Sequence, residues 1–201
     1  MFNLNFKNFT FVKEFPPQNG FIVCFKQLAN SNLISLSRTG YLTKSDISTG
    51  ALIQTLNLIY KNNTYYEFQV IEGDLIVLGG SDGILEFYDN SFNFVKNLSK
   101  VNGCSKIVFI EILYDSNIAV SCFPENTIII WNLLDDSNRL LNFSQDGEIR
   151  DIEYVGDNLL ICQSLSNVIK AYNIKMDSWL TTNALAFNIQ KIKKIDESKF
   201  A

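Results

Sequence analysis

The stretch Asn126–Asn138, NTIIIWNLLDDSN, places a run of strand-forming residues before a Trp, a short polar residue and a cluster of turn-forming residues. β-Branched residues such as those of Thr127–Ile130 favour strands, whereas the Asp, Ser and Asn residues that follow favour a turn. The same order of residues recurs in segments that begin at Ser31, Gly73, Ser116 and Asp157. The stretch is therefore one copy of an internal repeat, and the period of that repeat indicates the fold.

Two columns of the repeat keep one period. The first apolar residues of the four copies are Leu33, Leu75, Ile118 and Leu159, and a period of about 41–43 residues separates each from the next. The column that holds the Trp comprises Ser45, Tyr88, Trp131 and Tyr172, and it keeps the same period. Because two independent columns agree, a chance match is a poor explanation.

Each copy predicts strands and turns, with helix as a minor component at most. Apolar runs alternate with turns such as RTG, SDG, PEN and LSN, and a further strand-like run precedes each copy: GFIVCFKQL, YYEFQVIEG, KIVFIEILY and IRDIEYVG. No segment shows a sustained apolar period of 3.6 residues with helix caps. The sequence therefore predicts an all-β chain of four-stranded antiparallel units, spanning about 21–57, 65–98, 106–143 and 149–186.

Units of four short strands at this period resemble the blades of a WD-repeat β-propeller. The segment GGSDGILEFYDN (Gly79–Asn90) looks like the family's turn, strand and Trp-Asp pair, and IIIWNL keeps the Trp with Asn in place of Asp. The resemblance covers nearly the whole chain, as four and a half divergent repeats. We expect the aromatic residues of the Trp column to pack between blades.

The chain departs from the family pattern in one respect. Histidine is absent, so the family's Gly-His dipeptide and its usual buried hydrogen-bond tetrad are missing. Asp82 is still able to accept backbone hydrogen bonds in its turn.

The two ends of the chain do not coincide with the ends of a blade. Residues 189–201 align with a first strand, its hairpin and the opening of a second strand, and residues 1–15 resemble a closing outer strand. We therefore interpret residues 1–201 as one propeller domain or part of one, and expect a piece of a longer, incomplete propeller. The alternatives are a ring completed by a partner chain and a self-closed ring of five blades.

Composition and charge limit the functions open to the chain. Its 201 residues are 47% hydrophobic, and a net charge of −4 disfavours direct binding of nucleic acid. No apolar run approaches the ~18 residues that span a membrane. Without histidine, a His-based triad and His metal ligands are excluded, and we expect no catalytic residues, metal or cofactor.

The resemblance implies a non-catalytic scaffold for protein–protein interaction, as a subunit of an intracellular multiprotein complex. Its partners would then be other proteins. A nucleic-acid-associated (RNP) subunit is one alternative, and a propeller enzyme or small-molecule binder is another.

The four cysteines are Cys24, Cys104, Cys122 and Cys162. Even the closest two, Cys104 and Cys122, are too far apart in the sequence to form a CxxC metal or redox motif. Three of the four lie in apolar, strand-like runs. We predict buried, reduced thiols and a cytoplasmic or nuclear location.

Two sets of residues are candidates for binding. The first is a column on the first strand of each unit, which in a propeller lines the channel: Lys26, Gln69, Glu111, Glu153 and Lys194. It predicts a ring that binds a peptide or an ion, with solvated strand ends as the alternative. The second set lies on the rim formed by the turns between second and third strands and by the connections between blades: Arg38, Tyr60, Asp82, Glu125 and Asn167. Tyr60 is the strongest single candidate because aromatic residues are favoured as interface anchors, and an ordinary loop tyrosine is the alternative.

Overall fold

Four antiparallel sheets of four strands each follow one another along the chain, and neighbouring strands in each sheet are consecutive in sequence. The structure is a computed structural model, which describes residues 20–28, 32–99, 104–114, 116–124, 126–141, 148–163, 169–180, 191–196 and 199–200. We call the four sheets blades 1 to 4. The prediction of an all-β chain built from four-stranded antiparallel blades is confirmed.

The strands are short, and their bounds are as follows. Blade 1 contains Ile22–Gln27 (β1), Asn32–Ser37 (β2), Tyr41–Asp46 (β3) and Leu52–Asn57 (β4). Blade 2 contains Tyr65–Ile71 (β5), Leu75–Gly80 (β6), Leu85–Tyr88 (β7) and Phe94–Leu98 (β8). Blade 3 contains Lys106–Ile112 (β9), Asn117–Phe123 (β10), Thr127–Asn132 (β11) and Asn138–Leu141 (β12). Blade 4 contains Ile149–Val155 (β13), Asn158–Gln163 (β14), Ile169–Asn173 (β15) and Ser178–Leu180 (β16).

Two smaller elements complete the description. Lys194–Asp196 (β17) and Lys199–Phe200 (β18) pair as an antiparallel hairpin after blade 4. A 3-10 turn covers Ile59–Lys61 between blades 1 and 2. The predicted closing strand at residues 1–15 lies outside the described residues. No helix in the described part of the chain has the length and hydropathy that a membrane crossing requires.

The middle strands of blades 2 and 3 are largely apolar on both faces because each of these blades lies between two others. In β6, the adjacent residues Ile76 and Val77 are both buried although their side chains point to opposite faces. The outer strands carry more exposed residues, and Phe94 and Val95 of β8 are largely exposed. The first strands pack side by side in the order β1, β5, β9, β13 and β17, which makes them the inner strands of the assembly.

The aromatic residues of the Trp column fill the spaces between blades. Tyr88 packs with residues of blade 1, Trp131 with residues of blade 2, and Tyr172 with residues of blade 3. All three side chains are buried. Each residue thus joins its own blade to the preceding one, which confirms the structural role that the sequence predicted for this column.

A polar contact between neighbouring blades recurs near the outer strands. It joins a side chain of the outer strand to the turn before the outer strand of the next blade: Gln54 to Ser91, Lys96 to Asp136, and Arg139 to Asp177. In the first pair, Gln54 Nε2 donates to the carbonyl oxygen of Ser91 at 2.8 Å. The repeat therefore preserves the contact while the residue types change.

Blade 2 replaces the missing histidine tetrad with a different polar network. The buried Glu86 carboxylate accepts a hydrogen bond from Lys61 Nζ at 2.8 Å and from the Tyr88 hydroxyl at 2.9 Å. The Tyr65 hydroxyl donates to the same carboxylate at 3.4 Å. The network joins the inner strand β5, the strand β7 and the connection between blades 1 and 2.

One cysteine prediction was wrong, because Cys104 and Cys122 form a disulfide rather than remaining reduced. Cys104 comes just before β9, and Cys122 lies near the end of the adjacent strand β10, where it pairs with Ile107. The separation of 18 residues therefore allows the chain to run along β9 and return along β10, which brings the two cysteines together. Cys24 is free and half-buried, and burial raises the pKa of its thiol. The side chain of Cys162 lies outside the described part of the structure.

Candidate binding surfaces

The predicted rim residues lie in the turns where the repeat puts them, as far as they are described. Arg38 is exposed in the β2–β3 turn, and Asp82 in the β6–β7 turn accepts a hydrogen bond from the Ile84 N–H at 3.1 Å. Tyr60 belongs to the 3-10 turn between blades 1 and 2, and its side chain is outside the described residues. Glu125 and Asn167 are also outside them. The use of these residues in binding stays a prediction.

Arg38 is the first member of a row of cations and aromatic rings along this rim. The Arg38 guanidinium lies 5.7 Å from the ring centroid of Tyr66 on β5. On the other side of the row, Lys106 Nζ of β9 lies 4.7 Å from the Tyr66 ring and 4.3 Å from the Phe123 ring. We call these four residues the rim ladder, which crosses blades 1, 2 and 3.

The rim ladder holds its two cations over aromatic rings, which leave their positive charge in place. Cations over aromatic rings are attracted by the negative face of the ring, which restricts their side chains while leaving their charge in place. Among the described residues, neither Arg38 nor Lys106 has a carboxylate within ion-pair distance. Tyr66, Lys106 and Phe123 were not among the residues predicted from the sequence. An alignment of the inner strands by their first residues indicates two of them, because Tyr66 is the second residue of β5 and Lys106 the first residue of β9, at the rim that Arg38 occupies.

The predicted inner column makes a repeated contact between blades. Gln69 Nε2 donates to the Ile110 carbonyl oxygen at 2.8 Å, and Glu111 Oε1 accepts from the Tyr154 N–H at 3.0 Å. Glu153, which is 9% exposed, has an ion pair with Lys193 at 3.4 Å. Each side chain reaches the next inner strand or its approach.

Gln69, Glu111 and Glu153 are therefore bonded between blades and are not solvated strand ends. Lys26 is half-buried on β1, and the side chain of Lys194 lies outside the described residues. Binding of a peptide or an ion by the column stays a prediction. Nowhere in the described ranges do three or more Cys, Asp or Glu side chains come together as a metal site.

Burial dominates the titration of this inner region. It raises the pKa of Glu111 to about 7, although the hydrogen bond from the Tyr154 N–H acts in the opposite direction. Burial also raises the pKa of Glu67 on β5 and of Asp151 on β13. The inner strands therefore carry carboxyl groups that bind protons more readily in the folded chain than in the unfolded chain.

We expect the free energy of unfolding to increase as the pH falls from 7 towards 4.5, the interval between the folded and ordinary pKa of Glu111. In this interval the folded chain binds more protons than the unfolded chain, so acidification favours folding. Glu111→Gln should reduce the increase by about 1–2 kcal/mol, measured by urea denaturation at several pH values. Glu67 and Asp151 remain in both proteins and serve as the internal reference. Identical pH dependence in the two proteins would contradict this role of Glu111.

The solved structures that match this arrangement of strands include WD40 repeats. The WD40 repeats of RRP9 match with a TM-score of 0.71 at 9% sequence identity, over 82% of this chain and 52% of that chain. The structure of U3-55K matches with a TM-score of 0.71 at 10% identity, over the same shares of 82% and 52%. The chain has a WD40-type propeller fold.

This likeness concerns the fold only. No protein-family model matches the sequence, and no curated protein matches it. The present chain spans about half the length of RRP9 and U3-55K as solved, 52% in each case. Because 1248 solved chains match, the likeness identifies an architecture shared by many proteins and does not identify a partner.

Proposed function

We propose that this WD40-type chain is a non-catalytic scaffold that binds an acidic segment of a partner protein through the rim ladder. The observation that carries the proposal is the pair of cations, Arg38 and Lys106, held over the rings of Tyr66 and Phe123 with no described carboxylate within ion-pair distance. Carboxylates of a partner would form ion pairs with these two cations, and the aromatic rings beside them supply apolar contact area. Membership of a multiprotein complex in the cytoplasm or nucleus belongs to the same proposal, and it no longer rests on reduced thiols because Cys104 and Cys122 form a disulfide.

The rigid sheets support this use of the rim. The ladder residues lie at strand ends and turns, where binding residues are common because the scaffold holds them in place. The ladder residues come from three blades, so the packing of the blades fixes their geometry. This geometry is already present in the unbound chain. Preformed side chains lose less conformational entropy on binding than free ones.

A second candidate function is binding of single-stranded RNA. The alternation of cations and aromatic rings favours it, because bases stack on rings and phosphates attract Arg and Lys. The net charge of −4 opposes it, since no wider positive field is available to neutralise a phosphate backbone. We therefore favour an acidic protein segment.

The test compares the proteins that co-purify with the wild-type chain and with Arg38→Glu/Lys106→Glu, quantified by mass spectrometry. We expect a defined set of partners to fall at least about tenfold, because charge reversal turns attraction into repulsion. Lys175→Glu is the control, since Lys175 is an exposed cation in the β15–β16 turn on the opposite rim.

Two outcomes would argue against an acidic partner. An identical set of partners in the double variant would remove the ladder from protein binding. Binding of a short oligouridine that weakens steeply with salt, and is lost in the double variant, would assign the ladder to RNA.

A further inference from the structure

A groove lies between blades 2 and 3 on the rim opposite the ladder. Its volume is about 480 Å³, which is sufficient for one or two side chains of a ligand. The β5–β6 hairpin forms one side and the β9–β10 hairpin forms the other, with the β11–β12 turn at its outer end. Most of its lining is apolar: Ile71, Leu75, Ile112, Leu113, Leu133 and Leu134.

The apolar residue at the outer end of the groove is unusually open to solvent. Leu134 is 79% exposed, and Ile112 is also exposed. Turn residues between strands are ordinarily polar, and Asp, Asn, Ser and Gly are preferred there. An exposed leucine beside an apolar groove offers a hydrophobic contact that nothing within the described residues of the chain covers.

The groove has acidic residues on both sides. Glu72 lines it from the β5–β6 hairpin and is exposed, and Asp135 follows Leu134 in the β11–β12 turn. The Ser137 hydroxyl and N–H lower the pKa of Asp135, so it is anionic at neutral pH. Among the described residues, neither Glu72 nor Asp135 has an ion-pair partner, whereas the neighbouring Asp136 is neutralised by Lys96.

We infer that this groove binds a short peptide segment of another protein, in which an apolar side chain is flanked by Lys or Arg. The apolar side chain would enter between the two hairpins, and the flanking cations would meet Glu72 and Asp135. A second copy of this chain is a poor occupant, because its net charge of −4 would be brought against the same acidic groove. This site lies apart from the rim ladder and goes beyond the function proposed for it.

The test is a selection of random dodecapeptides displayed on phage, against the immobilised wild-type chain. We expect enriched peptides to carry Leu, Met or Phe within three positions of at least two basic residues. Leu134→Ser should weaken binding of a synthetic enriched peptide about tenfold, as expected for an apolar anchor of an interface. Glu72→Lys/Asp135→Lys should weaken it by a similar factor and remove its dependence on salt.

The repeat provides a matched control. Met176 occupies the corresponding turn of blade 4, between β15 and β16, and is 73% exposed. It does not line the groove, so Met176→Ser should leave binding unchanged. Arg38→Glu/Lys106→Glu should also leave it unchanged, which separates this site from the rim ladder.

Several results would overturn the inference. They are a selection with no enriched peptide, enriched peptides without basic residues, and binding that Leu134→Ser leaves intact. Concentration-dependent dimerisation in sedimentation experiments, abolished by Leu134→Ser, would assign the groove to a second copy of the chain instead.

Discussion

Gly83→Ala should lower the free energy of unfolding by about 4 kcal/mol. Gly83 lies in the β6–β7 turn with φ of +74°, in the left-handed region that side chains disfavour. A Cβ atom at this position would stand 2.4 Å from the carbonyl oxygen of Cys104, which belongs to the approach to β9 in the next blade. Because a backbone atom is fixed by its neighbours, the added methyl group would force blades 2 and 3 apart locally.

Gly73 supplies the matched control for this prediction. It has φ of +78° in the β5–β6 hairpin, and a Cβ atom there would meet nothing within 4 Å. Gly73→Ala should therefore lower stability by only about 1 kcal/mol, from the backbone conformation alone. Gly83→Asn separates the two effects, since Asn tolerates positive φ but still carries a Cβ atom.

Urea denaturation followed by tryptophan fluorescence measures all three variants under the same redox conditions. Equal losses for Gly83→Ala and Gly73→Ala would show that the contact with Cys104 is unimportant. A Gly83→Asn variant as stable as the wild type would lead to the same conclusion.

The blades could be predicted because the residues that specify them are local and repeated. Alternation of apolar runs with turns fixes the strands, and the column that holds Trp131 marks the contact between blades in each repeat. These features depend on the period, which the sequence displays directly. The Asp82 turn was foreseen for the same reason, since Asp82 and its hydrogen-bond donor Ile84 are close neighbours in the sequence.

The surfaces could not be predicted in the same way, because they depend on distances between blades. Tyr66 and Lys106 belong to successive copies of the repeat, and only the packing of β5 against β9 brings the cation over the ring. The groove likewise combines hairpins of two blades. The sequence places Leu134 in a turn but does not show that this turn lies beside an apolar groove. The Cys104–Cys122 disulfide depends on the register of β9 and β10, which pairs Cys122 with Ile107 and which the cysteine spacing alone does not specify.

Glu86→Ala should lower the free energy of unfolding by about 3 kcal/mol, because the change leaves buried polar groups without their shared acceptor. Glu86 is 6% exposed and accepts hydrogen bonds from Lys61, Tyr65 and Tyr88. Its removal would leave the half-buried Lys61 ammonium without its carboxylate partner. It would also leave both tyrosine hydroxyls without this acceptor. Glu72→Ala in the exposed β5–β6 hairpin is the control and should change stability by less than about 0.5 kcal/mol.

Two further variants separate the charge of Glu86 from its hydrogen bonds. Glu86→Gln keeps an oxygen that accepts from a tyrosine hydroxyl but loses the ion pair, so its loss should be intermediate, about 1–2 kcal/mol. Lys61→Met removes the cation and leaves the two hydroxyls bonded to the carboxylate. In a double-mutant cycle, Glu86→Gln and Lys61→Met should be less than additive, because both remove the same 2.8 Å contact. Strict additivity would contradict the coupling of Lys61 and Glu86 through this contact.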